Sequence, residues 1–444
     1  MLRPAFGRTR NDDVLVIVTQ FDERNELFQR PQSYAKRFLL TCCPFSAIIE
    51  TMKYIHRLLE DKVRHALGRG KSVLLLGARQ TGKTTLTSRF KHDLLVSFMQ
   101  PDVRQRYEKS PHLLRGEVES MVTSKEKRPL VILDEVQKVP VILDVVQDLI
   151  DRGKASFILT GSSARKLRKG AKVNLLPGRV VAFRMDPFSL QEFPAKDLNE
   201  RLLYGSLPGI LAVHSLSDRD TDLESYVTTY LEEEIRAEAV VRSLGNFARF
   251  LELAASESGG IVNLRKLSQE IGVSHTTIGA YYQILEDCLI AERIEPLTQS
   301  KTRKKLTKSE KYLFFDLGVR RLAAREGTKL SRNTIGMIFE QFVGLELLRA
   351  AHIKGHSARI RFWRDPDGPE VDWIIDEDGA YTPIEVKWTE NPSPADIRHL
   401  EVFLSEYNSA KAGCLVCRVP RRTKLSEKVF ALPWQDIASD NLNY

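Results

Sequence analysis

Gly77, Ala78, Arg79, Gln80, Thr81, Gly82, Lys83 and Thr84 stand in the order G-x-x-x-x-G-K-[ST]. That spacing describes a loop whose backbone N–H groups close around phosphate oxygens. Lys83 would reach the β- and γ-phosphates, and the Thr84 hydroxyl would ligate Mg²⁺. Downstream, the apolar run Pro129-Leu-Val-Ile-Leu133 ends in Asp134-Glu135. There Asp134 can hold Mg²⁺, directly or through water, and Glu135 can polarise an attacking water. A second constellation lies near the C-terminus: Asp372, then Glu385-Val-Lys387, with Glu340 upstream. Asp372 and Glu385 could hold Mg²⁺ between them, Glu340 could assist, and Lys387 could orient or activate water. Phosphodiester hydrolysis needs that placement of charge; a structural ion cluster would use the same residues.

Regular elements must position these groups. Val73-Leu-Leu-Leu76 reads as a strand entering the first loop, and a helix opens at Lys83-Thr84-Thr85-Leu86, with Thr85 beside the phosphate site. After the acidic pair come a helix over 139–151 and a strand over 155–159 that ends in Thr160-Gly-Ser-Ser163. Thr160 or Ser162 is placed to sense a γ-phosphate; a plain hydrogen-bonded turn is the alternative. Arg165-Lys-Leu-Arg-Lys169 and Lys172 form a basic loop, and Leu176-Pro-Gly-Arg179 leads into a strand over 180–183. Arg179 is a candidate arginine finger or sensor, or a surface arginine. Strands alternating with helices predict an α/β fold with a parallel, doubly wound sheet. The site then lies at the carboxyl ends of the strands, where Lys83, Asp134 and Thr160 converge.

The middle of the chain reads as helical from Tyr204 to Val241, with Glu232-Glu-Glu234 as a solvated face. An amphipathic helix over 246–257 follows. Then come a short helix over 263–271, the turn Gly272-Val-Ser274, and a helix over 275–289 capped by Ser274: a helix-turn-helix pattern. His275, Thr276, Thr277 and Gly279 would open its second helix and could face a major groove. Lys301-Thr-Arg-Lys-Lys305, Lys308 and Lys311 form the densest basic segment and would be the wing of a winged helix or the loop beside it.

Near the C-terminus, Ile335, Ile338, Phe339, Phe342 and Val343 recur at helical spacing. Strands over 359–364, 370–375 and 380–389 follow, separated by Asp367-Gly368 and Asp378-Gly379 turns. Strict alternation puts Val371, Trp373 and Ile375 on one face and Asp372 on the other, with Glu385 and Lys387 projecting together. A helix over 394–407 and a strand over 413–416 complete the order.

At 444 residues the chain has the length of two to four domains. A net charge of +9 is compatible with a nucleic-acid partner, DNA foremost. The five cysteines (Cys42, Cys43, Cys288, Cys414, Cys417) show no repeated metal spacing and suit a reducing cytoplasm. No apolar run reaches membrane-spanning length, and no signal peptide is evident. Residues 1–51 lack sustained periodicity, which makes Met52 a candidate natural start and 1–51 a disordered or foreign extension.

The blocks GARQTGKTTL, LVILDEVQ, FILTGSSA, LPGRVVAFRMDPFSLQEF and YGSLPGI resemble a bacterial and archaeal group of AAA-type P-loop ATPases with a C-terminal domain of unknown function. The resemblance covers Met52 to about Tyr407. It implies ATP as the nucleotide, bound by Gly77, Gly82, Lys83 and Thr84, and an oligomer with sites between subunits. Asp372, Glu385-x-Lys387 and Glu340 resemble the PD-(D/E)xK nuclease-like fold, with Val371 in place of its proline. The expected organisation is an extension over 1–51, an ATPase domain over 52–200, a helical and winged-helix domain over 201–325, and a restriction-endonuclease-like α/β domain over 326–444.

Overall fold

Uninterrupted apolar runs such as Val73–Leu76 and Val131–Leu133 suit strands covered on both faces, and the fold uses them that way. The computed structural model describes residues 54–121, 128–163, 178–231, 243–300, 305–355 and 357–438. Tyr54 apart, these lie in one unit, Ile55–Tyr444. The extension over 1–51 with Cys42 and Cys43, the basic groups Arg165–Lys169 and Lys172, the acidic run Glu232–Glu234, and the basic residues 301–304 lie outside the described residues.

Five strands, β1 (Ser72–Leu76), β2 (Leu94–Ser97), β3 (Leu130–Asp134), β4 (Ser156–Gly161) and β5 (Val180–Arg184), pair in the order β2-β3-β4-β1-β5. Every pairing is parallel. Val73, Leu75, Ile132 and Ile158 pack with Leu59, Val63 and Ala66 of helix α1 (Leu58–Gly68). Leu74, Val131, Leu133, Phe157 and Leu159 form the opposite face. Helix α2 (Lys83–Thr87) follows β1, and α3 (Ile142–Asp151) follows β3. The parallel α/β sheet is therefore as expected, and its register brings the loops after β1, β3 and β4 to one edge.

The described part of the helical region expected over 204–241 follows α4 (Leu198–Tyr204) as separate pieces, Pro208–Ala212, Leu216–Ser225 and a π-helical turn, Tyr226–Leu231. Pro208 opens one piece and the Ser215 side chain caps the next, so local chemistry restarts the helix twice. Beyond α5 (Leu244–Ser256), the helices α6 (Leu264–Ile271) and α7 (His275–Asp287) flank the expected turn, with Ser274 Oγ accepting from Thr277 N–H. An antiparallel ribbon of β6 (Ala291–Ile294) and β7 (Lys311–Phe314) follows. The segment between them does not stand free. Leu297 N–H donates to Phe362 O at 2.7 Å and Thr307 N–H to Arg364 O at 3.0 Å, which covers a sheet edge.

That edge belongs to the C-terminal sheet. After α8 (Leu317–Ala323) and the 23-residue α9 (Arg332–Lys354) come β8 (Arg359–Arg364), β9 (Glu370–Glu377), β10 (Ala380–Val386), α10 (Arg398–Glu406), β11 (Gly413–Cys417), β12 (Thr423–Lys424) and β13 (Val429–Pro433). The strands lie in the order β12-β13-β11-β10-β9-β8. Phe339, Phe342 and Val343 of α9 pack with Trp373, Ile384 and Val386, while Leu400, Phe403 and Leu404 of α10 share the other core with Val371, Ile374 and Leu415. Val371 and Trp373 thus fall in different cores, against the alternation expected. The register explains it: Arg361 pairs Ile374 but Trp363 pairs Val371, so Asp372 and Trp373 together oppose Phe362. Such a bulge re-aims a side chain, here Asp372. Cys414 and Cys417 also enter opposite cores, so their C-x-x-C spacing pairs no thiols.

Gly205, where α4 ends, has φ +70°, and a Cβ there would stand 2.0 Å from Asp316 Oδ1. The Asp316 carboxylate accepts from Ser206 N–H at 2.7 Å and from Gly318 N–H at 2.9 Å, capping α8. Gly205→Ala is expected to displace that cap and lower stability by about 3 kcal/mol, read from urea unfolding.

Candidate nucleotide site and C-terminal carboxylate cluster

The phosphate loop leaves β1 where β5 ends. Met185 N–H donates to Leu76 O at 2.7 Å, and a Cβ on Gly77 would meet Met185 O at 2.4 Å. Only glycine allows that approach. Within the loop, Gln80 is left-handed at φ 61°, a strained conformation of the kind found where a backbone must present its N–H groups. Thr81 Oγ1 donates to Ala78 O at 2.9 Å. Lys83 is buried and donates to Gly77 O at 2.8 Å and Ala78 O at 3.0 Å. Thr84 and Thr85 are exposed on the first turn of α2.

Across the same edge, Thr160 Oγ1 donates to Asp134 Oδ1 at 2.5 Å and accepts from Glu135 N–H at 3.1 Å. Ser97 Oγ donates to Asp134 Oδ2 at 3.3 Å. Burial pushes the Asp134 carboxyl upward, against the Thr160 hydrogen bond. Glu135 is itself left-handed, at φ 59°, and its carboxylate accepts from Ser162 Oγ at 3.1 Å and from Gln137 Nε2. Thr160 and Ser162 thus donate to different carboxylates, Thr160 to Asp134 and Ser162 to Glu135. Gln137 is a site residue that sequence reasoning missed, although it stands in the LVILDEVQ block.

Arg179 requires a correction. It precedes Val180, which pairs with Ser72, so it lies at the amino edge of the sheet. The length of β1, about 15 Å at strand rise, separates it from the phosphate loop. Its guanidinium makes a two-point ion pair with Asp151 at 2.6 and 3.0 Å. Arg179 is therefore not part of its own chain's phosphate site.

A different arginine holds the loop. Arg57 Nη1 donates to Thr81 O at 2.9 Å, Nη2 to Asp186 O at 2.6 Å and Nε to Glu192 Oε1 at 2.9 Å. Tyr226 adds its hydroxyl to Arg79 O at 3.3 Å. The segment after β5 then enters a half-buried charge cluster. Arg184 pairs with Glu292 of β6 at 2.7 Å and with Asp186 at 3.2 Å. His352 of α9 sits between Asp186, 2.7 Å from Nδ1, and Glu292, 3.0 Å from Nε2. Burial alone would lower the imidazole pKa; Glu292 and Asp186 outweigh it and hold the value at about 9. Both carboxyls are depressed against their own burial by His352 and Arg184, and Arg349 adds to the pull on Asp186. Arg184 and Asp186 stood in the LPGRVVAFRMDPFSLQEF block, but no spacing rule announced their partners.

In the C-terminal sheet the expected groups are neighbours. Lys387 Nζ donates to Glu385 Oε1 at 2.6 Å, and Asp372 Oδ2 accepts from Val386 N–H at 2.8 Å. Burial, then Glu340 and Glu385, raise the Asp372 carboxyl; burial pushes Glu385 up to about 7 against Lys387. Lys311, expected in the basic wing, is instead buried and donates to Glu340 Oε1 at 3.0 Å. Sequence reasoning misplaced it because a β7 lysine carries no mark of the helix it will meet. For Glu340, Asp372 and Glu385, expected as metal ligands, the arrangement as it stands is not a metal cage: among the described residues no three His, Cys, Asp or Glu groups are placed to hold a metal ion. Lysines and a backbone N–H already engage all three carboxylates. The donor set still has a feature that fits a hard cation, because Glu385 Oε2 is buried without a hydrogen-bond partner among the described residues.

Residues 69–194 match the AAA domain family, and residues 195–330 and 335–437 match two domains of unknown function, DUF8612 and DUF4143. The chain is 27% identical over 397 residues to the uncharacterized protein Rv2008c of Mycobacterium tuberculosis, covering 88% of this chain and 86% of the relative. It is 24% identical over 361 residues to the uncharacterized protein MJ1637 of Methanocaldococcus jannaschii, covering 69% and 74%. Among solved structures, a chain of Drosophila ORC bound to DNA aligns at 14% identity and a TM-score of 0.26, covering 68% of this chain and 96% of that one. Protein VC1899 from Vibrio cholerae aligns at 12% identity and a TM-score of 0.19, covering 84% and 96%. At those scores the structural likenesses carry no argument. Among the described residues no helix is long and apolar enough to cross a membrane.

The junction matches the three families segment by segment: Arg184 and Asp186 from the first, Glu292 from the second, His352 from the third. Because the His352 pKa is raised, its stabilisation is complete below about pH 6.5 and lost as pH rises through about 9. The depressed carboxyls contribute above the ordinary carboxylate range and lose that contribution on acidification. His352→Asn is expected to cost about 3 kcal/mol near pH 7 in urea unfolding, with the gap to wild type narrowing toward about pH 10.

Proposed function

We propose that this chain is an ATP-hydrolysing AAA-type protein that couples nucleotide state to nucleic-acid binding or processing by its C-terminal segment. The observation that carries the ATPase part is the meeting of Lys83, Asp134, Glu135 and Thr160 at one sheet edge beside a glycine-dependent loop. Bound ATP with Mg²⁺ supplies the phosphoanhydride and the metal charge. Lys83 would give up two carbonyls for phosphate oxygens. Asp134 and Thr84 would hold the metal ion, with Thr160 orienting Asp134. Glu135 would accept the proton of the attacking water once released from Ser162 and Gln137. A second copy of the chain would supply the guanidinium that Arg179 does not supply in cis.

The nucleic-acid part rests on two features. The α6–turn–α7 pair followed by the β6–β7 ribbon reads as a winged helix, with His275 and Thr276 exposed at the start of α7. The α9–β8–β9–β10–α10–β11 order with Asp372, Glu385 and Lys387 reads as a nuclease-like domain. The engaged state of all three carboxylates favours a second reading, an ATP-switched regulator whose C-terminal domain binds DNA or a protein without cutting it.

ATP turnover is expected to fall by about 100-fold or more in Lys83→Ala and in Glu135→Gln, with Glu135→Gln still binding nucleotide. Turnover that survives Lys83→Ala contradicts the assignment. Mg²⁺-dependent cutting of linear, circular or single-stranded DNA by wild type but not by Lys387→Ala supports the first reading, and no cutting with or without ATP supports the second.

A further inference from the structure

We propose that Lys311 is a tethered cation that closes the C-terminal carboxylate cluster in place of a divalent metal ion, and that the β6–β7 ribbon carries it in and out. This rests on reading that cluster as a nuclease-like site. Lys311 is supplied by the segment before the nuclease-like domain, from a strand paired with β6. Its ammonium is 3.0 Å from Glu340 Oε1 and 5.1 Å from the ring centres of both Phe362 and Trp373. The side chain is 11% exposed. A lysine so enclosed is held for its charge, since its usual course is to reach out to water.

The ion pairs support the exchange. Lys311 holds Glu340 and Lys387 holds Glu385, so each ammonium stands where a divalent ion would compete for the same carboxylate. Withdrawing Lys311 removes one positive charge from beside the set, which favours a cation there. Glu340 is the carboxylate that Lys311 occupies, so its release returns a third oxygen donor to the cluster. The unpartnered Glu385 Oε2 already awaits a cation or a donor.

The ribbon is also the path to the nucleotide site. Glu292 lies opposite Leu313, and Ile294 opposite Lys311. One two-stranded element therefore carries Glu292, bound to Arg184 and His352, and Lys311, bound to Glu340. A shift of Arg184–Asp186 against the phosphate loop would pull on the first and, through the pairing of β6 with β7, move the second.

The test is Mn²⁺ binding to the full-length chain without nucleotide, followed by the electron paramagnetic resonance of free Mn²⁺. Asp134→Asn is present in every arm to silence the ATP site. Lys311→Met is expected to bind Mn²⁺ at least about ten-fold more tightly than the parent, because one nearby positive charge is gone. Lys311→Gln, which keeps a hydrogen-bond donor for Glu340, should do the same if the methionine variant unfolds. Lys311→Arg should keep the parent affinity, and Glu385→Gln should abolish the tightened site. Equal affinity in the parent and in folded Lys311→Gln, with loss in Glu385→Gln, overturns the tether and leaves the metal site standing. No Mn²⁺ binding in any folded arm overturns the metal reading, and the tether with it.

Discussion

The contact between Gly77 and the Met185 carbonyl is the constraint on which the rest depends. A Cβ would fill the gap, so glycine must follow β1 for the segment after β5 to pass against the phosphate loop. That passage places Arg184 and Asp186 next to the loop and turns them into the same charge cluster as Glu292 and His352. Arg57 reinforces it from the other side, holding Thr81 and Asp186 by their carbonyls at once. The loop is thus bonded to the chain that leads away from it, and its conformation is set by both.

The two candidate sites share one physical design. In each, a carboxylate, buried for Asp134 and half-buried for Asp372, is oriented by a neighbour from an adjacent strand: Thr160 for Asp134, and the backbone N–H of Val386 for Asp372. In each, an ammonium spends its hydrogen bonds on protein oxygens, Lys83 on loop carbonyls and Lys311 on Glu340. Ligand binding at either site would therefore exchange internal for external partners. The ribbon β6–β7 carries one residue of the junction, Glu292, and one of the C-terminal cluster, Lys311.

Much of the nucleotide site was legible because its chemistry is local. Gly77–Thr84 and Asp134-Glu135 are contiguous, and each sits at the end of an apolar run whose length marks a strand. The parallel core followed from alternation of strands and helices. What was not legible was long-range. Nothing in the spacing of Arg57, Gln137 or Lys311 says which carbonyl or carboxylate each will reach, and the basic composition around Lys311 pointed the wrong way, to solvent. Arg179 failed for the same reason, because its neighbours in sequence hide that it sits at the far end of its strand. The bulge at Asp372 broke a period-2 pattern that one inserted residue is enough to defeat.

The central claim is that nucleotide at the phosphate loop is felt at the C-terminal cluster through the junction and the ribbon. Amide hydrogen exchange on the intact chain, with and without a non-hydrolysable ATP analogue, tests it most directly. Changed protection at 184–186, 291–294, 311–314 and 349–354, absent in Lys83→Ala, is the expected result. Protection that changes only at 77–84 and 134–135 would contradict it.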